Sequence, residues 1–408
     1  MIDPEIIRRD FPMYSDGGLY KNKKLVYLDN NATTFKPYSV IEAADEYNRH
    51  ITANTKRGDY ALAHDADVAY DESRETVAKF INADTNCVCF TSGDTMGLNQ
   101  VAFGLAHKLH KDDEIVISYH EHASVVLPWF RVAKQTGSKI RYVPLNEEGR
   151  ITPEALKETV NEKTKIVCLA STTNVLGYSL DVKEMAKIAH SAGALYIDDA
   201  AQSVPHKKTD VKDTDVDFLC FSGHKMVGPT GSGAMYGKKE LLEDLTPLMW
   251  GGEMNARFSA DGEIILDDPP SRFEAGTQNV SGAMGLAEAC RYLQKIGFHD
   301  IHEHEEKLRK KAVDGMKEIK DITVYNPNAD AGIVTFNHNT VFAQDAATWF
   351  GSKGCFVRSG THCSKLLPLY TNAPATIRAS MYLYNDEEDI DAFIDAAKHV
   401  EDYLDVYF

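Results

Sequence analysis

The sequence predicts an α/β protein. A large domain carries a mostly parallel, seven-stranded sheet, and a smaller α+β domain follows it. Three observations lead there. Seven short β-rich runs fall between residues 86 and 237. Helical patterns separate the earlier runs, the alternation expected of βαβ units. Beyond about residue 290 the alternation stops, and long helical stretches precede the next strands. The expected division is residues 16–290 for the large domain and 291–408, with 1–15, for the small one.

The runs in order are CVCFT (87–91), EIVIS (114–118), KIRYVPL (139–145), KIVCLAS (165–171), LYIDD (195–199), FLCFS (218–222) and GAMYG (233–237). Most are near-continuously apolar, which suits strands buried on both faces. TMGLNQVAFGLAHKL and DVKEMAKIAHSAG read as helices between them. Between FLCFS and GAMYG there is too little chain for a crossover helix, so the seventh strand should run antiparallel to the sixth. Gly228, Pro229, Gly231 and Gly233 make that turn. In the second domain GLAEACRYLQKIG and HEEKLRKKAVDGMKEI read as helices and AGIVTFN as a strand.

Composition narrows the function. A net charge of -17 argues against nucleic acid or an anionic membrane as partner. No apolar run approaches membrane-spanning length, and MIDPEIIRRDFP lacks a signal-peptide core. The seven cysteines are odd in number and form no CxxC pair, so neither a disulfide framework nor a zinc knuckle is indicated. A reducing cytoplasm is the expected setting.

In open α/β sheets, ligands bind beyond the carboxyl ends of the strands. Polar residues follow five of the strands at that end. Thr91–Thr95 follows the first and opens a helix, where backbone N–H groups favour a phosphate. His122 follows the second and Asn174 the fourth. Asp198 and Asp199 end the fifth, with Gln202 close by, and Ser222, His224 and Lys225 end the sixth. Singly these have ordinary readings: small polar residues cap helices, and a lone histidine is more often structural than catalytic. Together they describe a phosphate cradle, an aromatic stacker, a carboxylate, amide donors and an amine. A carboxylate opposite a lysine across a planar ligand is what pyridoxal phosphate requires.

At this point the chain resembles the cysteine desulfurases of the class V aminotransferase group, especially the SUF-type branch. The motifs span the chain: VYLDNNATT (26–34), EHASVVLPW (121–129), NVLG (174–177), DDAAQSVPH (198–206), FSGHKMVGPTG (221–231), GGEM (251–254), RFEAGT (272–277), VRSGTHCS (357–364) and IRASMYLYN (377–385). The resemblance implies the fold type I architecture of pyridoxal-phosphate transferases and a pyridoxal 5'-phosphate cofactor. It implies that Lys225 carries the cofactor, Asp199 pairs with its ring nitrogen and Gln202 with its phenolic oxygen. His122 would stack on the ring and assist proton transfers. Thr95, Ser222 and His224 would bind the phosphate, and Thr277 would reach the phosphate of the neighbouring subunit in a homodimer. Arg378, helped by Asn174, would bind the substrate carboxylate. Cys363 would be the nucleophile that takes sulfur from L-cysteine as a persulfide, leaving alanine, with Arg358 beside it. Arg358 and His362 are the expected sources of positive potential for its thiolate. The implied role is sulfur supply for iron–sulfur cluster assembly through a SUF-type acceptor protein.

Several positions depart from the branch pattern. Ser92-Gly93-Asp94-Thr95 stands for RGTT, and Met96 for the glutamate after it. Lys56-Arg57-Gly58-Asp59-Tyr60 lacks the two histidines of HRGxH, Thr361 replaces a histidine, and Asn31 replaces an alanine. A carboxylate at Asp94 is unfavourable beside a phosphate unless it turns away and caps the helix. Some members carry a histidine near 340–344 toward a zinc-containing acceptor; this chain has Thr340-Val341-Phe342-Ala343-Gln344, so a different acceptor or contact is expected. His299, His302 and His304 among glutamates read as a solvated helix face, and no metal site is assigned. Alternatives are a selenocysteine lyase, separated by rates on the two substrates; a class V transaminase, which would not depend on Cys363; and a non-catalytic relative acting as a scaffold.

Overall fold

The computed structural model describes residues 2–56 and 58–406, so Arg57 of the 56–60 stretch lies outside the described residues. The seven runs form one sheet: β1 (Val88–Thr91), β2 (Glu114–Ser118), β3 (Lys139–Val143), β4 (Thr164–Ala170), β5 (Leu195–Asp199), β6 (Phe218–Ser222) and β7 (Gly233–Gly237). Their spatial order is β1-β7-β6-β5-β4-β2-β3. Strands β2 to β6 pair in parallel. β7 is antiparallel to β6 and to β1, as the short connection requires. Its close approach depends on Gly233, where a Cβ would lie 2.5 Å from the Phe221 carbonyl and 2.6 Å from Gly93 Cα.

Helices cover both faces, which is why the strands read as unbroken apolar runs. The long helices α1 (Tyr38–His50) and α2 (Ala61–Phe80) precede the sheet. α3 (Asp94–Gly104), α4 (Ala123–Thr136) and α5 (Val182–Ser191) are crossovers, and α6 (Val280–Ile296) returns to pack on α1 and α2. The first crossover helix is shorter than its 95–109 pattern suggested. It ends at Gly104, a poor helix residue, and a 3-10 turn at Ala106–Lys108 completes the run. The core is the apolar interior of β2, β4, β5 and β6, with Trp129 fully buried beside it.

The smaller α+β domain holds β8 (Ile322–Val324), β9 (Ile333–His338), β10 (Arg358–Gly360) and β11 (Thr376–Ser380), all antiparallel, in the order β8-β9-β11-β10. α7 (Phe298–Lys317), α8 (Ala343–Ser352) and α9 (Glu387–Lys398) pack with it around Phe336, Phe350 and Phe393. A capping box at Asp386 and Asp389 starts α9. The architecture is that of the type I pyridoxal-phosphate fold. One pairing matters for the site: Val26–Tyr27 adds in parallel to Cys355–Phe356, and Asp29 bridges to Ser380. This draws the segment after Tyr27 beside β10 and β11.

Candidate active site

A cavity of about 240 Å3 opens beyond the carboxyl ends of the parallel strands. Its lining includes Thr95, His122, Asn174, Ser222, His224 and Lys225 from the large domain. Arg358, Cys363 and Arg378 of the small domain close it, and Gln202 completes the wall.

Each side chain has a local reason for its position. β6 ends at Ser222, and one 3-10 turn, Gly223–Lys225, carries the lysine to the cavity. Burial lowers the Lys225 pKa while Asp199 opposes the shift, so its amine gives up a proton more readily than a surface lysine. The Asp199 carboxylate is buried at the end of β5 and accepts from the Ala201 N–H at 3.1 Å. His122 caps α4: its Nδ1 accepts from the Ser124 N–H at 3.1 Å, which leaves Nε2 to carry the proton of the neutral ring. Burial and then Lys225 lower its pKa, so the ring stays neutral near pH 7. Ser124 also joins the Thr95 hydroxyl at 2.6 Å and so ties the cradle to the histidine. The Ser222 hydroxyl accepts from the Asp94 N–H at 2.8 Å. That contact needs Gly93, whose φ is 144° and whose absent Cβ would lie 3.0 Å from Ser222 Oγ. The His224 ring is pushed down to about 4 by burial and by Lys225, and its carbonyl anchors Thr33 and Thr34.

At the far wall Arg378 is buried and pushed down to about 10 by desolvation. Its Nη1 donates to the Asn174 carbonyl at 2.7 Å and its Nη2 faces Asp29 at 3.4 Å, while Nε has no partner. Arg358 grips the same Asp29 through Nε and Nη2, at 3.1 and 2.9 Å. Cys363 is exposed, whereas the other six cysteines are buried.

Some expectations need correcting. His362 supplies no positive charge to Cys363: burial and Arg378 push its pKa down to about 3. Much of the Arg358 charge is matched by Asp29. The Asn174 amide does not face the cavity unengaged, since its Nδ2 donates to the His362 carbonyl and its Oδ1 accepts from Ser364, both at 2.8 Å. Gln202 Nε2 donates to the Asn31 carbonyl at 3.0 Å. Asp94 does not turn out to solvent. It is buried at the cavity, its Oδ1 lacks a partner, and burial beside Asp199 favours its protonated form. Thr277, expected to serve the neighbouring subunit and not this cavity, needs no such correction: it lines a second cavity with Phe90, Ser92, Gly231 and Glu274.

Sequence reasoning assigned no role to Asp29, Ser124 or Ser364. Ser124 had a signal, a hydroxyl two residues after a helix-capping histidine. Asp29 and Ser364 had none, because their partners lie 329 and 190 residues away.

The residues present fit pyridoxal phosphate. An amine of lowered pKa, a neutral imidazole and a helix start with hydroxyls line one cavity, the buried Asp199 carboxylate acts on that amine and that imidazole, and two lining side chains, Asn31 and Arg378, hold buried donors without partners. The pattern of the family Aminotransferase class-V matches residues 26–393. The chain belongs to that family. A probable cysteine desulfurase of Halalkalibacterium halodurans is 44% identical, over 93% of this chain and 94% of the relative. One from Staphylococcus aureus is 40% identical, over 100% of this chain and 98% of its own. Among solved structures, the apo cysteine desulfurase of Thermococcus onnurineus is similar, with a TM-score of 0.92, 36% identity and 98% of each chain covered. An Escherichia coli cysteine desulfurase gives a TM-score of 0.90 at 33% identity, over 98% of this chain and 99% of that one. This class V protein is thus a pyridoxal-phosphate-dependent enzyme of the cysteine-desulfurase type.

Proposed function

We propose that the enzyme removes sulfur from L-cysteine, releases L-alanine and holds the sulfur as a persulfide on Cys363. The observation that carries this reading is the position of Cys363: it is the exposed cysteine, and it shares one cavity with Lys225 and Arg378.

When bound, pyridoxal phosphate supplies the electron sink that makes the α-proton of an amino acid removable. Lys225 would anchor it, Asp199 would face its ring nitrogen, Gln202 would lie near its phenolic oxygen, and Asn174 would border the site beside Arg378 and help it with the substrate carboxylate. Thr95, Ser222 and His224 would hold its phosphate, with Thr277 serving a neighbouring subunit. Arg378 binds the substrate carboxylate through the Nε that has no partner. The Lys225 amine, poised by desolvation, takes the α-proton and later returns one. Neutral His122 relays protons over the same face. The Cys363 thiolate attacks the substrate sulfur, so an S–S bond forms as the C–S bond breaks. The released electron pair stays with the carbon fragment, which takes up protons to become alanine. Arg358, held by Asp29, borders the departing sulfur.

The reading extends to a SUF-type enzyme serving iron–sulfur cluster assembly, because VRSGTHCS is short and anchored. Thr340–Gln344 lacks a histidine, with Phe342 exposed, which favours an acceptor protein that docks differently from a zinc-containing one. A homodimer is supported by the exposed apolar side chains Trp250, Phe258, Ile264 and Ile265, close in sequence to the Thr277 segment. Among the described residues no helix is long and apolar enough to cross a membrane. A cytoplasmic setting accords with the cysteine usage.

The test is incubation of the purified, cofactor-loaded protein with L-cysteine and a reductant, with sulfide and alanine measured together. Equal amounts of the two, lost in both Cys363→Ala and Lys225→Ala, support the reading. Alanine or sulfide formation undiminished in Cys363→Ala removes the persulfide step, and faster turnover of selenocysteine with no need for Cys363 points to a lyase.

A further inference from the structure

One residue beyond the nucleophilic thiol, a buried hydroxyl is committed to a single partner. Ser364 is fully buried, and its Oγ donates to Asn174 Oδ1 at 2.8 Å. The other end of the same amide, Nδ2, donates to the His362 carbonyl at 2.8 Å. The orientation follows from chemistry. A carbonyl oxygen can only accept, so Nδ2 must face His362, and the Ser364 hydroxyl must then donate to Oδ1. A single side chain therefore brackets Cys363 from both sides in sequence. The Cys363 carbonyl is held too, by the Ala123 N–H at 2.9 Å, next to His122.

The backbone between these bonds is strained. His362 has φ 52° and Cys363 φ 62°, consecutive left-handed residues with neither a glycine. Such a pair persists only where its surroundings hold it.

We propose that Ser364 is a positioning residue for sulfur transfer. It fixes the Asn174 amide, and through that amide the left-handed turn that presents the Cys363 thiol to the cavity. The inference rests on the reading of Cys363 as the sulfur-accepting thiol. Asn174 also accepts from Arg378 through its own carbonyl, so one residue sets the thiol's loop against the arginine that takes the substrate carboxylate.

Without the hydroxyl, Asn174 Oδ1 loses its buried partner, the amide is free to turn, and the left-handed pair relaxes. Displacing a reacting group by about 1 Å costs on the order of a hundredfold in rate. In Ser364→Ala, turnover should therefore fall about tenfold to a hundredfold. KM for cysteine should change far less than turnover, and the absorbance of the bound cofactor should stay near that of the wild type, because Arg378, Lys225 and Asp199 are untouched and only the Asn174 amide is loosened.

The experiment uses the full-length holoenzyme. Hydrogen exchange over residues 358–367 and the alkylation rate of Cys363 by iodoacetamide are measured beside sulfide and alanine release. Ser364→Ala should raise exchange over that segment about fivefold to tenfold, the equilibrium value of one neutral hydrogen bond. Ser364→Thr, which keeps the hydroxyl, should preserve the protection. Asn174→Asp removes the donor to His362 and should raise exchange over the same segment, so the inference stands or falls even where the threonine does not fit. Wild-type exchange and turnover in Ser364→Ala would overturn it, as would a rise in KM in parallel with loss of cofactor absorbance and a lower melting temperature. If the wild type releases neither sulfide nor alanine, the desulfurase reading fails, and the exchange comparison still decides whether Ser364 holds the loop.

Discussion

Replacing Arg74 by methionine tests how the segment bearing Thr277 is held. Arg74 and Glu274 are both almost fully buried, at 4% and 2% exposure. The guanidinium meets the carboxylate twice, Nη1–Oε1 at 2.5 Å and Nη2–Oε2 at 2.7 Å, and Nη1 also reaches the Val88 carbonyl at 2.9 Å. Glu274 accepts in addition from the Phe90 N–H at 2.8 Å and the Tyr70 hydroxyl at 3.0 Å. The rings of Tyr70 and Phe90 flank the cation. Arg74→Met keeps the apolar volume and strands the carboxylate. Breaking a buried pair from one side costs about 3–5 kcal/mol. For a chain of this length the unfolding entropy is about 0.9 kcal/mol/K, so the melting temperature should fall by about 3–6 °C. Adding Glu274→Gln removes the stranded charge and keeps an acceptor for Phe90, so the double variant should recover most of the loss. Differential scanning calorimetry at pH 7 compares the three proteins. A single variant melting within about 1 °C of wild type, or a double variant no better than the single, would refute the argument.

Other expectations follow from the same reasoning. His120, buried with Nε2 against the Gly149 carbonyl, is pushed down to about 4. Its folded-state pKa lies below the unfolded value near 6.5, so the unfolded chain takes the proton first. The group's contribution is complete above about pH 6.5 and is lost by about 1.4 kcal/mol per pH unit as pH falls toward 4. Urea titrations across that window should show a shallower decline in His120→Phe, and an equal slope would exclude the assignment. Asp94→Thr removes a buried carboxyl with an unpartnered oxygen from the cofactor cradle. It should slow cofactor loss on dialysis, followed by absorbance, by several fold; faster loss would show that Asp94 is itself a ligand. Gly233→Ala drives a methyl into the Phe221 carbonyl and Gly93. It should cost about 1–3 kcal/mol in denaturant melts and weaken cofactor retention, because Gly93 starts the cradle. An unchanged melt would mean that β1 and β7 can separate freely.

Much of the site was legible because strand ends announce themselves. An apolar run that stops at Ser222-Gly223-His224-Lys225, or at Asp198-Asp199, must place those groups at one edge of a parallel sheet, since every parallel strand points the same way. The antiparallel β7 was equally readable, from the length of its connection alone. What the residues on a single strand cannot state is which side chains meet across the sheet edge or across the two domains.

The sequence by itself determined the fold class, the seven strands, the turn into β7 and the group of polar residues that fits a pyridoxal cofactor. Those follow from local chemistry: apolar periodicity, turn residues and connection lengths. Only the tertiary structure decided how the thiol's side of the cavity works. The pairing of Val26–Tyr27 with Cys355–Phe356 brings Asp29 between Arg358 and Arg378. Folding also buries His362 until it is neutral and spends both ends of the Asn174 amide on the loop around Cys363. Charge state and hydrogen-bond commitment depend on partners distant in sequence and on exclusion from water, and neither is a property of a residue until the chain has closed around it.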